Sequence, residues 1–176
     1  VRVIWGGDAT IATIRQNAIP PRAFDICFAD RYSIAAINSD ELNTDKLNHE
    51  NLKQLAERFY NDTYLFDQNA CSAPHLVVWT GNHVEAAKKL FWDAVQQVTE
   101  QKYQFQDVMA VDKLTALYRQ AVAMPMHAEK TKDNLLCRVN IDSLPKDIDA
   151  FRCTSGYFTE YTANDFDEIA SIVTRK

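Results

Sequence analysis

The sequence predicts a three-layer α/β domain built on a largely parallel sheet. The first observation is that short strand-like apolar runs alternate with longer stretches of helical periodicity. The second is the run at residues 75–80, whose apolar residues do not alternate, as is typical of an interior parallel strand buried on both faces. The chain has 176 residues, of which 47% are hydrophobic, and this is enough for one core. We therefore expect a single domain over residues 1–176.

The predicted strands are short runs between turn residues. The first, at residues 1–5, is expected to be buried, and Gly6-Gly7 ends it. The others lie at residues 24–28, 33–37, 75–80, 135–141, 151–153 and 157–161, with a turn at 154–156. The polar segment at residues 127–134 is expected to be a loop.

Apolar residues recur with the helical period in five further segments. The predicted helices cover residues 9–18, 47–61, 83–100 and 107–124, followed by a last helix whose apolar face carries Phe166, Ile169, Ala170 and Val173. The predicted N-caps are Asp8 for the first helix, Asn82 for the third, and Asn164 or Asp165 for the last.

The charge balance excludes some classes of protein. There are 19 Lys and Arg residues against 24 Asp and Glu, a formal net charge of −5, and no basic run occurs. We therefore expect no nucleic-acid partner. No apolar run approaches the roughly 18 residues of a membrane span, and no signal peptide is visible, so we expect a cytoplasmic protein with reduced thiols and no transmembrane segment. Because the chain enters a strand at once, without Met, we also expect a piece of a longer protein.

Metal binding is not expected. The four cysteines and four histidines are scattered, and their wide spacings match no pattern of closely paired zinc ligands.

One segment, at residues 64–74, carries a lone cysteine between an aromatic-rich stretch and the predicted interior strand. Cys71 lies among small and polar residues, after an aromatic-rich stretch and just before the apolar run at 75–80. Asn69 and Ser72 favour turns, and Pro74 ends any helix through the segment. The pattern indicates a thiol in a bend ahead of a buried strand, where a nucleophile can meet a substrate carbonyl. The alternative is a cysteine that is simply buried in a loop.

A second motif lies near the start of the chain. Gly6 and Gly7 follow a predicted strand and precede a predicted helix, so the turn can expose backbone N–H groups to an anion. The alternative is a plain strand-to-helix turn.

Together these segments resemble one family. The run Asp67-Gln68-Asn69-Ala70-Cys71-Ser72-Ala73-Pro74 resembles the catalytic-cysteine motif of the long-chain acyl-CoA reductases, which include the fatty acid reductase of bacterial bioluminescence. They are distant relatives of the aldehyde dehydrogenases, whose Phe-Asn-Gln-Gly-Gln-Cys run is similar to residues 66–71. More loosely, residues 5–8 resemble the superfamily's Thr-Gly-Ser turn, residues 29–34 its Gly-Gly-Lys-Ser-Pro run, and residues 151–169 its Phe-Gly-Pro region and the strand and helix that follow.

The departures from that pattern concern acid groups. Aldehyde dehydrogenases that hydrolyse their acyl-enzyme carry a glutamate just before the Gly-Gly-Lys-Ser run, and no glutamate occurs at residues 24–32 here. The glutamate ahead of Phe-Gly-Pro is also missing near Phe151. The resemblance therefore implies a domain like the aldehyde dehydrogenase catalytic domain that reduces an acyl group rather than releasing a free acid. Most of the cofactor-binding half would lie upstream.

The activity implied by the resemblance is the NADPH-dependent reduction of a long-chain acyl-CoA to the fatty aldehyde. Cys71 would be the nucleophile, with active-site support from Gln68, Asn69 and Ser72, and Gly6 and Gly7 would contact the cofactor. The implied partners are an acyl-CoA or other acyl donor, a fatty acyl synthetase, and further copies of the same chain. His75 and His83 are expected to be structural or surface residues. Two other functions stay open, namely an aldehyde-oxidising enzyme that uses the same cysteine and a non-catalytic α/β scaffold.

Overall fold

Strands and helices alternate in the computed structural model, which describes residues 1–42 and 48–173. The strands are Arg2–Gly6 (β1), Asp25–Ala29 (β2), Ser33–Asn38 (β3), Pro74–Thr80 (β4), Met126–Lys130 (β5), Cys137–Ile141 (β6) and Tyr157–Thr162 (β7). The helices are Asp8–Arg15 (α1), His49–Thr63 (α2), Val84–Lys102 (α3), Asp107–Ala123 (α4) and Phe166–Val173 (α5). Short 3-10 turns occupy Ser39–Glu41, Tyr64–Phe66 and Ile148–Phe151. The chain divides into two units, Val1–Tyr32 and Ser33–Lys176.

The first unit is a parallel pair of strands joined by a helix. β1 and β2 pair from Arg2 opposite Asp25 to Gly6 opposite Ala29, and α1 connects them. The Arg2 guanidinium donates to both carboxylate oxygens of Asp25, at 2.7 and 2.9 Å, which fixes the register at that end of the pair.

Two expectations for this unit were wrong. Only Ile4 of β1 is buried, and Val3 and Trp5 are 60% and 71% exposed, because two strands and one short helix cover a single face. The helix ends at Arg15, and its N-cap is Gly7. Asp8 is the first helical residue and makes no capping hydrogen bond with its side chain.

The second unit contains a five-stranded sheet in the order β3-β4-β7-β6-β5. The first four strands are parallel, and β5 is antiparallel to β6 at one edge. All seven residues of β4 are buried between β3 and β7. This confirms the largely parallel sheet and the interior strand predicted from the apolar run.

Helices cover both faces of this sheet. On one face α2 and α3 pack over Val77, Trp79 and Phe158 around a group of aromatic rings. Phe59 of α2 lies with its ring centroid 5.1 Å from that of Phe91 of α3 in an edge-to-face contact. On the other face α4 reaches β7, where the Tyr157 hydroxyl donates to the Gln120 side-chain oxygen at 2.8 Å. The three-layer α/β fold is confirmed.

None of the helices in the described ranges combines the length and apolarity needed to cross a bilayer.

Two secondary-structure expectations in this unit were also wrong. The polar segment predicted as a loop contains β5, whose pairing is made by backbone groups and needs little apolar content at a sheet edge. Residues 151–153 do not form a strand, because the 3-10 turn runs to Phe151 and extended pairing resumes only at Tyr157.

Helix boundaries follow the predicted ones closely. α2 begins at His49, and the predicted start at Leu47 lies outside the described residues. α3 has His83 as its N-cap, because Asn82 instead donates its backbone and side-chain N–H groups to Asp40.

The cap of the last helix was predicted correctly. Asp165 accepts from the Glu168 N–H at 3.0 Å, which confirms one of the two proposed caps of α5. Ile169 is buried there and Ala170 is exposed, whereas the side chains of Phe166 and Val173 lie outside the described part.

A buried carboxylate joins the sheet to α3. One oxygen of Glu160, on β7, accepts from the indole N–H groups of Trp79 at 2.8 Å and Trp92 at 2.7 Å. The other oxygen lies 3.4 Å from the Arg138 guanidinium. Burial raises the pKa of Glu160, and the charge of Arg138 opposes that shift. The carboxylate therefore satisfies two buried indole donors and shares the Arg138 guanidinium with Glu129.

We expect the substitution Glu160→Ala in the intact protein to lower the free energy of unfolding by about 3 kcal/mol, because two buried indole donors lose their acceptor and the Arg138 guanidinium keeps only Glu129. Chemical denaturation measures this change. Asp62→Ala, on the exposed surface of α2, is the control and should cost less than about 0.5 kcal/mol. Equal effects of the two substitutions would contradict the role given to Glu160.

Candidate active site

Cys71 lies in a tight turn at the amino end of the central strand β4. The chain leaves α2 through the 3-10 turn at Tyr64–Phe66 and then passes through Asp67 and Gln68, whose φ angles are +52° and +63°. Two successive non-glycine residues in the left-handed region cost on the order of 1–3 kcal/mol each. Cys71 follows and is exposed, whereas Ala73 and Pro74 are buried. The alternative, that Cys71 is simply buried in a loop, is therefore wrong.

The strained turn is held by the side chain of Gln68. Its Nε2 group donates to the carbonyls of Pro74 and Tyr157, each at 2.9 Å. Its Oε1 atom accepts from the backbone N–H groups of Gly156 at 3.0 Å and Tyr157 at 3.2 Å. The residue is fully buried, with both amide hydrogens and the oxygen paired. Gln68 thus ties the cysteine turn to the first residues of β4 and β7.

A second set of contacts holds the same turn from the side of α3. The Tyr103 hydroxyl donates to the Asp67 carboxylate at 2.7 Å, and the Ser155 N–H donates to the Asp67 carbonyl at 3.0 Å. Burial raises the pKa of Tyr103 well above its usual range, so the phenol remains a proton donor. The turn at Ser155 and Gly156 is itself left-handed. A Cβ on Gly156 would lie 2.2 Å from the Leu135 carbonyl oxygen, so only glycine fits there.

The residues predicted to support Cys71 divide into two groups. Gln68 is buried and shapes the turn, so it does not face solvent. Asn69 and Ser72 are exposed beside Cys71, and the Asn69 side chain donates to the carbonyls of Phe66 and Asp67 at 3.2 and 3.3 Å. The Cys71 carbonyl accepts from the Ser33 hydroxyl at 2.8 Å. A direct role for these residues in catalysis stays a prediction.

Several residues of the turn were missed by sequence reasoning. Tyr103, Ser33 and Gly156 are distant from Cys71 in the chain, and only the fold brings them to it. The one usable signal was Gly156 in a predicted turn, since a glycine there suggests a left-handed backbone or a close approach.

The two histidines near the motif lie in different places. His75, on β4, is buried, and its Nδ1 atom lies 3.1 Å from the Cys153 carbonyl. His83 follows the carboxyl end of β4, at the other edge of the sheet from Cys71, and its Nδ1 atom lies 3.5 Å from an Asp40 carboxylate oxygen.

The other cysteines differ from Cys71 in exposure. Cys27 is exposed, whereas Cys137 is buried and its pKa is raised by that burial to about 11. The pKa of Cys153 is raised for the same reason. Burial lowers the pKa of the neighbouring Lys113 to about 8. Within the second unit, Cys71 is thus the exposed thiol of the described residues.

The Gly6-Gly7 turn belongs to the first unit. Gly6 has a φ of +154°, and a Cβ on it would lie 3.3 Å from the Thr10 methyl carbon. A Cβ on Gly7 would meet no atom within 4 Å, so the backbone at the start of α1 is open. The acidic side chain of Asp8 lies in the first turn of that helix.

A polar cavity of about 410 Å³ lies at the carboxyl edge of the sheet, opposite Cys71. It is lined from α3, β5, β6 and β7, by residues that include Lys88, His127 and Asn140. None of the residues predicted from the sequence as site residues lines it. The described residues contain no group of three or more His, Cys, Asp or Glu side chains placed to hold a metal ion.

The fold of this chain is shared with one class of solved protein. The chain is similar to solved aldehyde dehydrogenases, including an NAD-dependent aldehyde dehydrogenase from Sinorhizobium meliloti (TM-score 0.62, 9% identity) and an aldehyde dehydrogenase from Bartonella henselae (TM-score 0.61, 12% identity). Another is the NADP-dependent glyceraldehyde-3-phosphate dehydrogenase from Bacillus halodurans C-125 complexed with NADP (TM-score 0.58, 14% identity). These matches cover 97–98% of this chain but only 36–38% of the solved ones. The chain therefore has the aldehyde dehydrogenase type of fold and spans about a third of the length of those structures.

The family follows from the sequence match. The family described as acyl-CoA reductase (LuxC) matches residues 1–101, which is more than half of the 176 residues. The chain belongs to this family, and the suspected resemblance is confirmed. No curated protein matches the chain.

We expect the four thiols of the intact protein to react with iodoacetamide at different rates. At pH 8 Cys71 and Cys27 should be alkylated at least about tenfold faster than Cys137. Cys137 is buried and has a pKa of about 11, so it stays protonated at this pH, and a protonated thiol is a poor nucleophile. Peptide mass spectrometry after timed labelling measures the rates. Alkylation of Cys137 as fast as that of Cys71 in folded protein would contradict the structure.

We expect Gln68→Glu to destabilise the intact protein in a pH-dependent way. A carboxylate of the same shape cannot donate to the carbonyls of Pro74 and Tyr157, so the free energy of unfolding should fall by about 3 kcal/mol at pH 8. Protonation restores one donor, so the loss should become smaller as the pH is lowered towards 5.

Denaturation of the variant and the unaltered protein at both pH values measures the effect. Gln101→Glu, on the exposed surface of α3, is the control and should change stability by less than about 0.5 kcal/mol. If Gln68→Glu lowered the free energy of unfolding equally at both pH values, this would contradict the four hydrogen bonds assigned to the Gln68 side chain.

Proposed function

We propose that the protein reduces long-chain fatty acyl-CoA, or acyl groups delivered by another enzyme, to the fatty aldehyde through an acyl thioester on Cys71, with NADPH as the reductant. The observation that carries the proposal is the exposed Cys71 on a strained and firmly held turn, in a chain of the acyl-CoA reductase family. Strain of this kind is retained where the surrounding structure enforces it, and it clusters at active sites.

The first step is acyl transfer to sulfur. The Cys71 thiolate attacks the carbonyl carbon of the acyl-CoA, a new C–S bond forms, and the C–S bond to coenzyme A breaks. The coenzyme A thiolate leaves and takes up a proton. Attack places negative charge on the carbonyl oxygen, which needs N–H donors. The backbone N–H of Cys71 is suited to this, since no group among the described residues accepts a hydrogen bond from it.

The second step returns Cys71 to its starting state. When bound, NADPH would supply the hydride that converts the thioester on Cys71 to a hemithioacetal anion, and it would become NADP⁺. Collapse of that anion breaks the C–S bond, releases the aldehyde and regenerates the Cys71 thiolate. The Ser33 hydroxyl and the Gln68 contacts keep the Cys71 peptide in one orientation through both steps.

One feature of the first unit suits the binding of a nicotinamide dinucleotide, namely the backbone at the start of α1. The open backbone at Gly7 and the first N–H groups of α1 can approach a phosphate, although Asp8 adds a negative charge nearby. Gly6 and Gly7 are therefore the residues of this chain that would hold the cofactor. The aldehyde dehydrogenase from Sinorhizobium meliloti is named as NAD-dependent and the glyceraldehyde-3-phosphate dehydrogenase as NADP-dependent, which supports a nicotinamide cofactor here.

The acyl-enzyme would have no base to hydrolyse it in the segment where hydrolysing relatives carry one. Residues 24–32 contain no glutamate, so water is poorly activated and transfer of hydride to the thioester is favoured. The names of the solved relatives favour a second function, the oxidation of an aldehyde through the same cysteine. A fatty acyl synthetase that hands over the acyl group, and a cytoplasmic location, complete the proposal.

The test is to measure, by mass spectrometry, the mass of the full-length protein after incubation with tetradecanoyl-CoA without any nicotinamide cofactor. We expect one acyl adduct, which is lost in Cys71→Ala and kept in Cys27→Ala, a control at the other exposed cysteine. Addition of NADPH should discharge the adduct to tetradecanal. Turnover should fall by about three orders of magnitude or more in Cys71→Ala.

Other outcomes would overturn the proposal. An adduct that NADPH does not discharge, together with formation of NADH or NADPH from an aldehyde, would favour the oxidising function. No adduct on folded protein with several chain lengths, or unchanged turnover in Cys71→Ala, would favour a non-catalytic scaffold.

A further inference from the structure

Helix α4 carries an apolar stripe that points away from the sheet. Its five members are Val108, Val111, Leu114, Tyr118 and Val122, and they are 60%, 62%, 43%, 64% and 91% exposed. At 3.6 residues per turn they lie within an arc of about 120°. The buried residues of the helix are instead polar, Lys113 and Gln120, on the opposite side. A helix packed on one sheet ordinarily has the reverse arrangement.

The polar residues keep the helix in this orientation. Gln120 accepts from the Tyr157 hydroxyl at 2.8 Å and lies 3.5 Å from the Thr159 hydroxyl oxygen. Lys113 donates to the Asn134 carbonyl and lies 4.9 Å from the centroid of the Phe105 ring. Rotating α4 to bury the stripe would break these bonds and leave their buried partners unpaired. The stripe is therefore presented outwards by the fold itself.

The stripe has the size of an interface. The helix has 17 residues and is about 25 Å long. The largest apolar patch on a typical monomer is about 300–600 Å² and is often functional. A specific interface needs about 600 Å² or more from each partner, and a four-turn helix with five large exposed side chains supplies an area of that order.

The pattern of the stripe is symmetric along the helix. Val108 and Val122 each lie seven residues from Thr115, and Val111 and Tyr118 lie four and three residues from it. This is the spacing of a short heptad seam, with the same kinds of side chain on both sides of the midpoint. Two such helices laid antiparallel would therefore bring apolar residues together on both sides of the central Thr115 of each copy.

The charges beside the stripe fit the same arrangement. Asp112 and Arg119 are exposed on one flank, seven residues apart, with their midpoint at the centre of the stripe. When two copies of a helix pack antiparallel about a two-fold axis, the same flank of each meets the other, in opposite directions. Asp112 of one copy then faces Arg119 of the second, and the reverse pair forms as well. In a parallel arrangement opposite flanks would meet, so Asp112 and Arg119 would not face each other.

We propose that α4 is a self-association surface, which pairs antiparallel with α4 of a second copy of this chain and is fixed in register by two Asp112–Arg119 ion pairs. The two-fold arrangement makes the interface self-complementary, so that each copy contributes the same surface. The proposal is independent of the acyl reduction proposed above.

The test is a charge exchange in the intact protein, with molar mass measured by sedimentation velocity and light scattering over a range of concentrations. Asp112→Arg alone, and Arg119→Asp alone, should each weaken the association by about tenfold or more, because each creates two like-charge contacts. The double variant, with both substitutions, should restore association to within about threefold of the unaltered protein. Arg58→Asp, on the exposed surface of α2, is the control and should have no effect.

The double variant separates the possible occupants of the stripe. Only a second copy of the same helix carries the compensating change, so a failure of the double variant to restore association would overturn the proposal. An unchanged molar mass in every variant would overturn it as well, and would assign the stripe to another segment of the same protein or to a different partner. Tyr118→Glu, in the middle of the stripe, should abolish the association while the circular dichroism spectrum of the folded protein is retained.

Discussion

The side-chain amide of Gln68 is the contact on which the cysteine turn depends. It is buried where β4 and β7 begin, and it pairs with two carbonyls and two N–H groups that would otherwise face each other without partners. Because the left-handed backbone at Asp67 and Gln68 is unfavourable, the turn needs such contacts to persist. The result is an exposed thiol on a rigid support. The exposed thiol and the buried side chain that holds its turn thus lie in one short segment.

The position of Cys71 differs from the usual site in an open α/β sheet. Ligands in such sheets generally bind beyond the carboxyl ends of the strands. Cys71 lies at the amino end of β4, while the polar cavity of the second unit lies at the carboxyl edge. The aldehyde dehydrogenase type of fold therefore builds its cysteine turn from the connection between α2 and β4. That connection can be strained without disturbing the sheet, because β4 is held on both sides by β3 and β7.

Much of the fold was predictable because the local patterns were strong. The apolar run before Gly81 predicted an interior strand, and the periodicity of α3 and α4 marked both helices to within two residues. β5 was missed because an edge strand is stabilised by backbone pairing with β6, which leaves no trace in side-chain hydrophobicity. The apolar residues of α4 were read correctly as one helical face, but a pattern does not say whether that face meets the sheet or solvent.

The sequence by itself determined the family, the mostly parallel α/β fold and the single cysteine that stands in a turn. These follow from residue type and spacing, which act locally along the chain. Only the tertiary structure decided that Cys71 is exposed and Cys137 is not, that Gln68 is a buried support, and that Tyr103 and Gly156 hold the turn. The reason is that burial, and hydrogen bonds between residues 36 or 88 positions apart in the chain, depend on how the layers pack. A local sequence pattern does not say which distant residues will meet.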